Sequence, residues 1–285
     1  GLVCGTLCVF DRQTGGLYRP DTQGVDVSSL AFRPDGRIHY AGLRSYETVV
    51  GDVHPTGVPA ELWRSTVETC GPWHPASLPI GESEALVVRE GTILPPEITL
   101  LGEQGAQTLF STIAEPVPLA AQVRRTPLSW TGANGTRIDG SFLAHRDADG
   151  PLPTIVEVHG GPVLADRPRW LGNIRTAWLV FNGYGVQHAN PRGSCGRGRE
   201  FAAAVIGDMG GDDARDLELG VDHAVSLGLV DPARVAVTGS SYGGYMAAWL
   251  ATRSDRFRTA IAISPISNWR SQHGTSQIGR FDEIF

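Results

Sequence analysis

Lysine is absent from the sequence, so all 24 basic residues are arginine. Without lysine the chain can neither form a Schiff base with a carbonyl substrate nor bind nucleotide phosphates through a P-loop lysine. The net charge is −6 and the arginines form no block, so no basic surface is expected to bind nucleic acid. No apolar run reaches the ~18 residues of a membrane-spanning helix. We therefore expect neither nucleic acid nor a membrane as a partner.

Cysteine is scarce, with only Cys4, Cys8, Cys70 and Cys195. A chain of 285 residues can bury a large core without a disulfide framework, and these spacings are not those of metal ligands. We predict reduced thiols, a cytoplasmic protein, and no metal or other cofactor. The first residues contain neither a methionine nor the charged segment of a signal peptide. Either nothing is targeted or the true N-terminus is missing.

Residues 1–118 contain short alternating runs broken by Gly, Pro and Asp, which is typical of all-β structure. A weak repeat is present, because the segment at 11–15 (DRQTG) recurs at 52–57 (DVHPTG). The segment at 30–37 (LAFRPDGR) has a looser counterpart at 73–88. A period of about 40–45 residues with several strands indicates propeller blades. We predict a partial β-propeller of two to three blades over residues 1–118, with chance similarity between two ordinary β-hairpins as the alternative.

Strands and helices alternate in residues 119–285, which predicts an α/β domain with a mostly parallel sheet. The pair Asn134-Gly135 predicts a type I′ hairpin turn. One helix is expected to be capped by Asp212 or Asp213 and to end at Gly228. The other predicted elements are strands at 154–158, 186–189, 234–238 and 259–263 and helices at 174–181 and 245–252.

A G-x-S-x-G pentapeptide lies between a predicted strand and a predicted helix, which is the context of a nucleophile elbow. Its members are Gly239, Ser241 and Gly243. The sharp turn lifts the serine oxygen above the sheet, and the flanking glycines let strand and helix approach each other. A small-residue turn that only joins a strand to a helix is the alternative. We predict Ser241 as the catalytic nucleophile.

The tetrapeptide His-Gly-Gly-Pro at 159–162 follows another predicted strand, where hydrolases of this type carry the second half of the oxyanion hole. Negative charge develops on the carbonyl oxygen during acyl transfer, and backbone N–H groups stabilise it. We assign this role to the N–H groups of Tyr242 and Gly161.

Four ordered segments together resemble a known family. They read HGGP from His159, NPRGSCGRGREF from Asn190, GDMGGDDARD from Gly207, and LVDPARVAVTGSSYGGYMAAWLATRSDRF from Leu229. From about Leu128 onward the chain resembles the catalytic domain of the prolyl oligopeptidase family of serine peptidases, closest to its acylaminoacyl-peptidase and dipeptidyl-peptidase-like branch.

The resemblance implies an α/β-hydrolase fold preceded by a β-propeller that limits access to the site. It further implies a serine peptidase that hydrolyses short peptides through an acyl-enzyme. Peptide substrates are the expected partners, and a homo-oligomer is left open. Two alternatives remain: an esterase or acyl hydrolase of the same fold, and a non-catalytic, propeller-bearing binding protein.

The triad's acid and base follow the nucleophile in the chain order of this fold. His273 is the one histidine after Ser241, and its position suits a loop or pocket wall better than a general base. Asp282 is also poorly placed. We therefore expect an internal fragment, with a C-terminally truncated hydrolase domain whose catalytic Asp and His lie beyond the chain. Such a fragment alone is expected to be inactive.

Other polar and aromatic residues of this half receive structural interpretations. An acidic cluster without histidine at ligand spacing indicates helix capping and loop hydrogen bonds rather than a metal site. Arg192 is expected to hold its loop to a neighbouring acid, and Cys195 has no expected role. Tyr242 and Tyr245 either border the substrate pocket or pack in the core. The acidic cluster comprises Asp208, Asp212, Asp213 and Asp216.

Overall fold

A computed structural model of the chain describes residues 5–113, 118, 120–171, 174–278 and 283–284. The chain divides into two compact units. The first, here called the β unit, consists of Gly1–Ala120, Arg167–Asn173 and Cys195–Glu200. The second, here called the α/β unit, consists of Ala121–Asp166, Ile174–Ser194 and Phe201–Phe285.

Antiparallel sheets form the β unit. β1 and β2 pair with each other, and a four-stranded meander has the order β3-β4-β5-β6. A second meander has the order β11-β10-β9-β7, with β8 also paired to β9. The strands are β1 (Val9–Phe10), β2 (Leu17–Tyr18), β3 (Asp26–Phe32), β4 (Ile38–Arg44), β5 (Glu47–Val53), β6 (Ala60–Ser65), β7 (Glu68–Cys70), β8 (Leu78–Ile80), β9 (Glu84–Gly91), β10 (Glu97–Gly102) and β11 (Gly105–Ser111). Four-stranded meanders are the building blocks of propellers, and closure into a propeller stays a prediction.

A buried polar network accompanies the apolar core of the first meander. His39 Nδ1 lies 2.8 Å from Asp52 Oδ1, and His39 Nε2 lies 2.8 Å from Ser77 Oγ. The guanidinium of Arg33 also reaches Asp52 Oδ1, at 2.7 Å from Nε. Arg33 is buried and neutralises the carboxylate of Asp52. We therefore interpret this Ser-His-Asp arrangement as structural: it connects the meander to the segment that precedes β8.

A six-stranded sheet with the order β12-β13-β15-β14-β16-β17 forms the centre of the α/β unit. β12, β13 and β15 pair antiparallel, and the pairings of β14 with β15, β14 with β16, and β16 with β17 are parallel. The helices and strands from residue 121 onward are β12 (Val123–Thr131), β13 (Arg137–His145), β14 (Leu152–Val158), α1 (Ile174–Phe181), β15 (Gly185–Asn190), α2 (Gly198–Ala203), α3 (Asp212–Ser226), β16 (Val230–Ser240), α4 (Tyr242–Arg253), β17 (Thr259–Ile263) and α5 (Trp269–Thr275). The first three residues of α2 are part of the β unit. The alternation of strands and helices predicted from the sequence is confirmed.

The turn between β12 and β13 has positive φ at both predicted positions, 54° at Asn134 and 77° at Gly135. The connection is longer than a two-residue hairpin, because Thr131 pairs with Arg137.

The cap of α3 differs from the prediction. Gly211 is the N-cap residue, so neither Asp212 nor Asp213 caps this helix. The carboxylate of Asp213 lies within the first turn and accepts hydrogen bonds from the N–H groups of Gly210 and Ala214.

Cys195 is disulfide-bonded, whereas Cys8 and Cys70 are free thiols. The prediction that Cys195 is a reduced, incidental thiol is therefore wrong. A disulfide joins residues that the fold brings together, so spacing along the chain gives no sign of it. Among the described helices, none combines the length and apolar character that crossing a bilayer requires.

A buried ion pair links the loop after β15 to α3. Arg192 Nε lies 2.8 Å from Asp216 Oδ2, and Nη2 lies 3.0 Å from Asp216 Oδ1. The same carboxylate accepts from the N–H of Ala133 at 2.8 Å, and Arg192 Nη1 reaches Asp212 Oδ2 at 2.8 Å. The prediction that Arg192 holds its loop to an acid is confirmed.

Asp216→Ala is expected to lower the free energy of unfolding by about 3–5 kcal/mol, because it leaves the buried Arg192 charge without its main partner. Arg215→Ala is the control, since Arg215 forms a surface pair with Glu218, worth about 0–1 kcal/mol. Urea unfolding of the full-length protein at pH 7, followed by circular dichroism, measures both. Equal effects of the two substitutions would contradict the assignment.

Candidate active site

Ser241 stands alone between the end of β16 and the first residue of α4, with φ 59° and ψ −118°. This conformation is strained for a residue with a side chain, and such strain costs about 1–3 kcal/mol. Two hydrogen bonds hold the turn: the N–H of Ser241 donates to the carbonyl of Ile263, and its carbonyl accepts from the N–H of Tyr245, both at 3.0 Å. The residue is exposed to solvent. The structure therefore presents a hydroxyl on a sharp, fixed turn.

Three glycines around Ser241 allow the backbone to pack this closely. A Cβ on Gly243 would lie 2.1 Å from the carbonyl oxygen of Val158, and one on Gly239 would lie 2.5 Å from the same oxygen. A Cβ on Gly244 would lie 2.7 Å from the carbonyl oxygen of Ile263. In each case the obstacle is backbone, which cannot move aside as a side chain can. The first turn of α4 can thus pack directly on the ends of β14 and β17.

The glycine loop that begins at His159 lies beside this turn. Val158 pairs with Gly239 in the sheet, so β14 and β16 end next to each other. A Cβ on Gly160 would lie 3.6 Å from Ser241 Cβ. The next residue, Gly161, has a φ of 124°, a conformation that favours glycine. The structure brings the predicted nucleophile and the predicted oxyanion loop together.

Two backbone N–H groups near Ser241 are available as donors. The amide of Tyr242 lies in the first turn of α4, where a helix offers no internal acceptor. The amide of Gly161 donates to no acceptor among the described residues. The helix dipole adds partial positive charge at the N-terminus of α4, on the amide of Tyr242. An exposed hydroxyl with free amides nearby can form and stabilise a tetrahedral adduct of a carbonyl group.

His159 anchors the start of the glycine loop. Its Nε2 lies 2.9 Å from Ser194 Oγ, and its Nδ1 lies 2.8 Å from the carbonyl oxygen of Gly160. Desolvation by burial lowers the pKa of His159, so the ring is neutral at pH 7. Both nitrogens are engaged in the loop, and His159 therefore acts as a tether between two loops.

The ring of Tyr242 is buried, and its hydroxyl donates to the carboxylate of Asp213. Of the two interpretations given to this residue, core packing is confirmed. Tyr245 is partly buried, donates to the carbonyl of Met209 at 3.0 Å, and packs against Trp249. Sequence reasoning missed the link between Asp213 and the elbow. In the sequence, Asp213 is recognisable only as an acidic residue in a predicted helix, which does not indicate its contact with Tyr242.

Among the described residues, no histidine is hydrogen-bonded to Ser241. His273 lies on α5 and is exposed. Asp282 lies outside the described residues. The acidic cluster makes loop and backbone contacts as expected, with Asp208 accepting from the N–H of Asp212 at 2.9 Å. No group of metal-ligating side chains occurs in the described part of the chain.

A sheet that bears a strained serine at a strand-to-helix turn, with a glycine loop at the neighbouring strand end, is consistent with the α/β-hydrolase fold. Residues 171–284 match the prolyl oligopeptidase family. The resemblance predicted from the four sequence segments is thereby confirmed.

Several curated proteins are similar in sequence. An uncharacterized peptidase of Bacillus subtilis is 38% identical over 157 residues, covering 54% of this chain and 24% of that protein. An acylamino-acid-releasing enzyme of Arabidopsis thaliana is 35% identical over 127 residues, covering 44% of this chain and 16% of that enzyme. The matched part of the chain thus spans a quarter or less of the length of these relatives.

Solved structures share the fold over nearly the whole chain. The acylaminoacyl peptidase of Pyrococcus horikoshii has a TM-score of 0.79 at 22% identity, covering 97% of this chain and 43% of that one. A puromycin hydrolase has a TM-score of 0.81 at 22% identity, covering 98% of this chain and 44% of that one.

Gly243→Ala is expected to destabilise the full-length protein by about 3 kcal/mol, since its methyl group would overlap the Val158 carbonyl. Gly274→Ala is the matched control, because no atom lies within 4 Å of a Cβ built there. Thermal unfolding compares the two. A Gly243→Ala protein as stable as the control would show that the close approach is not required.

Asp213 generates a pH dependence of stability. Burial raises its pKa from 3.8 to about 6, although hydrogen bonds from Tyr242 and the backbone oppose the shift. Because the folded-state pKa is the higher one, stability is greatest below pH 3.8 as far as this group is concerned and falls as the pH rises through about 6. The loss amounts to about 2–3 kcal/mol.

Asp213→Asn is expected to remove this fall in the free energy of unfolding, because asparagine keeps an acceptor for the two backbone N–H groups but does not ionise. Urea unfolding between pH 4 and pH 7 measures the difference from the unsubstituted protein. Asp255→Asn, at an exposed position after α4, is the control. An unchanged slope in Asp213→Asn would refute the assignment.

Proposed function

We propose that this chain carries the nucleophile and the oxyanion hole of a serine peptidase that hydrolyses short peptides. One observation carries the proposal: an exposed, strained Ser241 lies next to the glycine loop, and the amides of Tyr242 and Gly161 donate to no acceptor among the described residues. The match of residues 171–284 to the prolyl oligopeptidase family supports the same reaction class.

In the proposed reaction, Ser241 Oγ attacks the carbonyl carbon of the scissile peptide bond while a general base takes its proton. The N–H groups of Tyr242 and Gly161 donate to the resulting oxyanion. The tetrahedral adduct then expels the amine, which receives the proton, and leaves an acyl group on Ser241. A water molecule attacks this ester, and the acid product and the free hydroxyl are released. In the chain order of this fold the base and its acid follow the nucleophile.

Peptides are the proposed substrates because several relatives bear the names of enzymes that act on peptides or acylated amino acids. One solved acylaminoacyl peptidase was captured with a peptide chloromethyl ketone, Z-Gly-Gly-Phe-chloromethyl ketone. We further propose that the two meanders of the β unit are propeller blades, in keeping with the fold shared with these enzymes.

A fluorophosphonate probe tests the nucleophile. The full-length protein is expected to be labelled covalently, and Ser241→Ala to lose labelling completely, because Ser241 is the residue at the strained turn between β16 and α4. Ser240→Ala is the matched control, since it alters the adjacent serine and should keep labelling. Mass spectrometry of the labelled peptide identifies the modified residue.

Labelling that survives in Ser241→Ala, or that maps to another residue, would refute the proposed nucleophile. Hydrolysis of peptide anilides, compared with that of simple esters, then establishes the substrate class. A labelled protein that turns over esters and no peptide anilide would leave the nucleophile in place and refute the peptidase assignment.

A further inference from the structure

Outside the elbow, the α/β unit contains a second cluster of charged side chains. His188 lies between two carboxylates, with Nδ1 3.0 Å from Asp166 Oδ1 and Nε2 3.5 Å from Glu157 Oε2. The three side chains are only 13% to 15% exposed. Arg125 pairs with Asp166 at 2.5 Å, and Arg175 pairs with Glu157. Neither the mechanism nor the sequence motifs use this cluster.

Strand register explains how the cluster forms. His188 on β15 is opposite Glu157 on β14 and Ser141 on β13, so the three residues form one row across the sheet. Asp166 reaches this row from the segment that follows β14. Ser141 Oγ donates to Asp166 Oδ2 at 3.3 Å, and this carboxylate thus bridges Ser141, His188 and Arg125.

Asp166 ends the glycine loop of the candidate active site, five positions after Gly161. Asn190 fixes its backbone in both directions: the N–H of Asp166 donates to Asn190 Oδ1 at 2.6 Å, and Asn190 Nδ2 donates to the carbonyl of Asp166 at 3.1 Å. The loop is therefore tied at its start by His159 to Ser194 and at its end by Asp166. The amide of Gly161 is held between these two anchors.

Buried ion pairs contribute little net stability, because desolvation offsets most of the attraction between the charges. Their geometric effect is larger here, because the ion pair holds His188 Nδ1 3.0 Å from Asp166 Oδ1. Arg125 alone would neutralise Asp166. His188 is a second cation paired with Asp166. Because His188 is part of strand β15, this pair attaches the end of the glycine loop to the sheet.

We propose that His188 is a positioning residue, which through its ion pair with Asp166 fixes the glycine loop so that the amide of Gly161 points at the oxyanion. This inference rests on the proposed function and extends it to a residue that does not touch the substrate. The inference is based on three observations: the row of residues across the sheet, the two carboxylates beside His188, and the two hydrogen bonds between Asn190 and the backbone of Asp166.

The charge state of His188 follows from its neighbours. Burial favours the neutral ring, but the carboxylates of Asp166 and Glu157 raise its pKa to about 9. The charged groups that face it are Asp166 from the loop, Glu157 from β14, Arg125 from β12 and Arg175 from α1, and His159 interacts with it electrostatically. His188 is thus a cation at pH 7 and loses its charge as the pH rises through about 9.

Steady-state hydrolysis of a peptide p-nitroanilide by the full-length protein tests the proposal in His188→Gln, Asp166→Asn and the double variant. Each single substitution is expected to lower kcat about tenfold with KM changed less than about twofold, because the loop is misplaced only for the transition state. The double variant should resemble the single ones, since both substitutions break one contact. Arg137→Gln, on the exposed side of β13, is the control.

The pH profile gives a readout that general destabilisation does not produce. In the unsubstituted protein kcat should fall as the pH rises through about 9, and His188→Gln should lack this fall. If His188→Gln does not fold, the test compares the unsubstituted protein with Asp166→Asn. The proposal then requires that kcat decreases above pH 9 in the unsubstituted protein and does not decrease in Asp166→Asn. A kcat within about twofold of normal in folded His188→Gln, or no fall up to pH 10, would overturn the proposal.

The outcomes separate this inference from the proposed function. Normal fluorophosphonate labelling of Ser241 combined with an unaffected His188→Gln overturns only the role of His188. A full-length protein that is not labelled at Ser241 overturns both.

Discussion

The contact between the first turn of α4 and the carbonyl oxygen of Val158 sets the geometry on which the candidate site depends. Gly243 lies so close to this oxygen that hydrogen is the only side chain the position accepts. Because Val158 is also the residue from which the glycine loop departs, one contact fixes two parts of the site together. The positions of the Ser241 turn and of the glycine loop thus both depend on backbone packing at the ends of β14 and β16.

Loops that lack regular secondary structure need other means of fixing their backbones, and here polar side chains supply them. His159 ties the glycine loop to Ser194, and Asp166 ties its end to the sheet. Arg192 fixes the adjoining loop on Asp216. Each anchor is largely buried, where a partnered polar group costs little and an unpartnered one costs much. Preorganised donors require such rigidity, because an amide that must first be oriented contributes less to catalysis.

The sequence allowed the fold of the α/β unit and the elbow to be predicted, because both are encoded locally. Gly239, Ser241 and Gly243 lie within five residues, and periodicity located the strands and helices around them. The anchors could not be predicted in this way, since Asp166 meets Asn190 across 24 positions and Asp213 meets Tyr242 across 29. The local rule for helix caps even gave Asp213 a wrong role.

The backbone and the side chain of Tyr242 have different surroundings. Its amide is the first of α4, next to Ser241, while its hydroxyl is buried and donates to Asp213. Burial raises the pKa of Asp213 to about 6, and the hydrogen bond from Tyr242 opposes this shift. This hydrogen bond also joins the first turn of α4 to α3, next to the strained φ of Ser241. A strained backbone conformation persists only where the surrounding contacts exclude unstrained conformations. At Ser241 these contacts are the hydrogen bond of Tyr242 to Asp213 and the close packing of Gly239, Gly243 and Gly244.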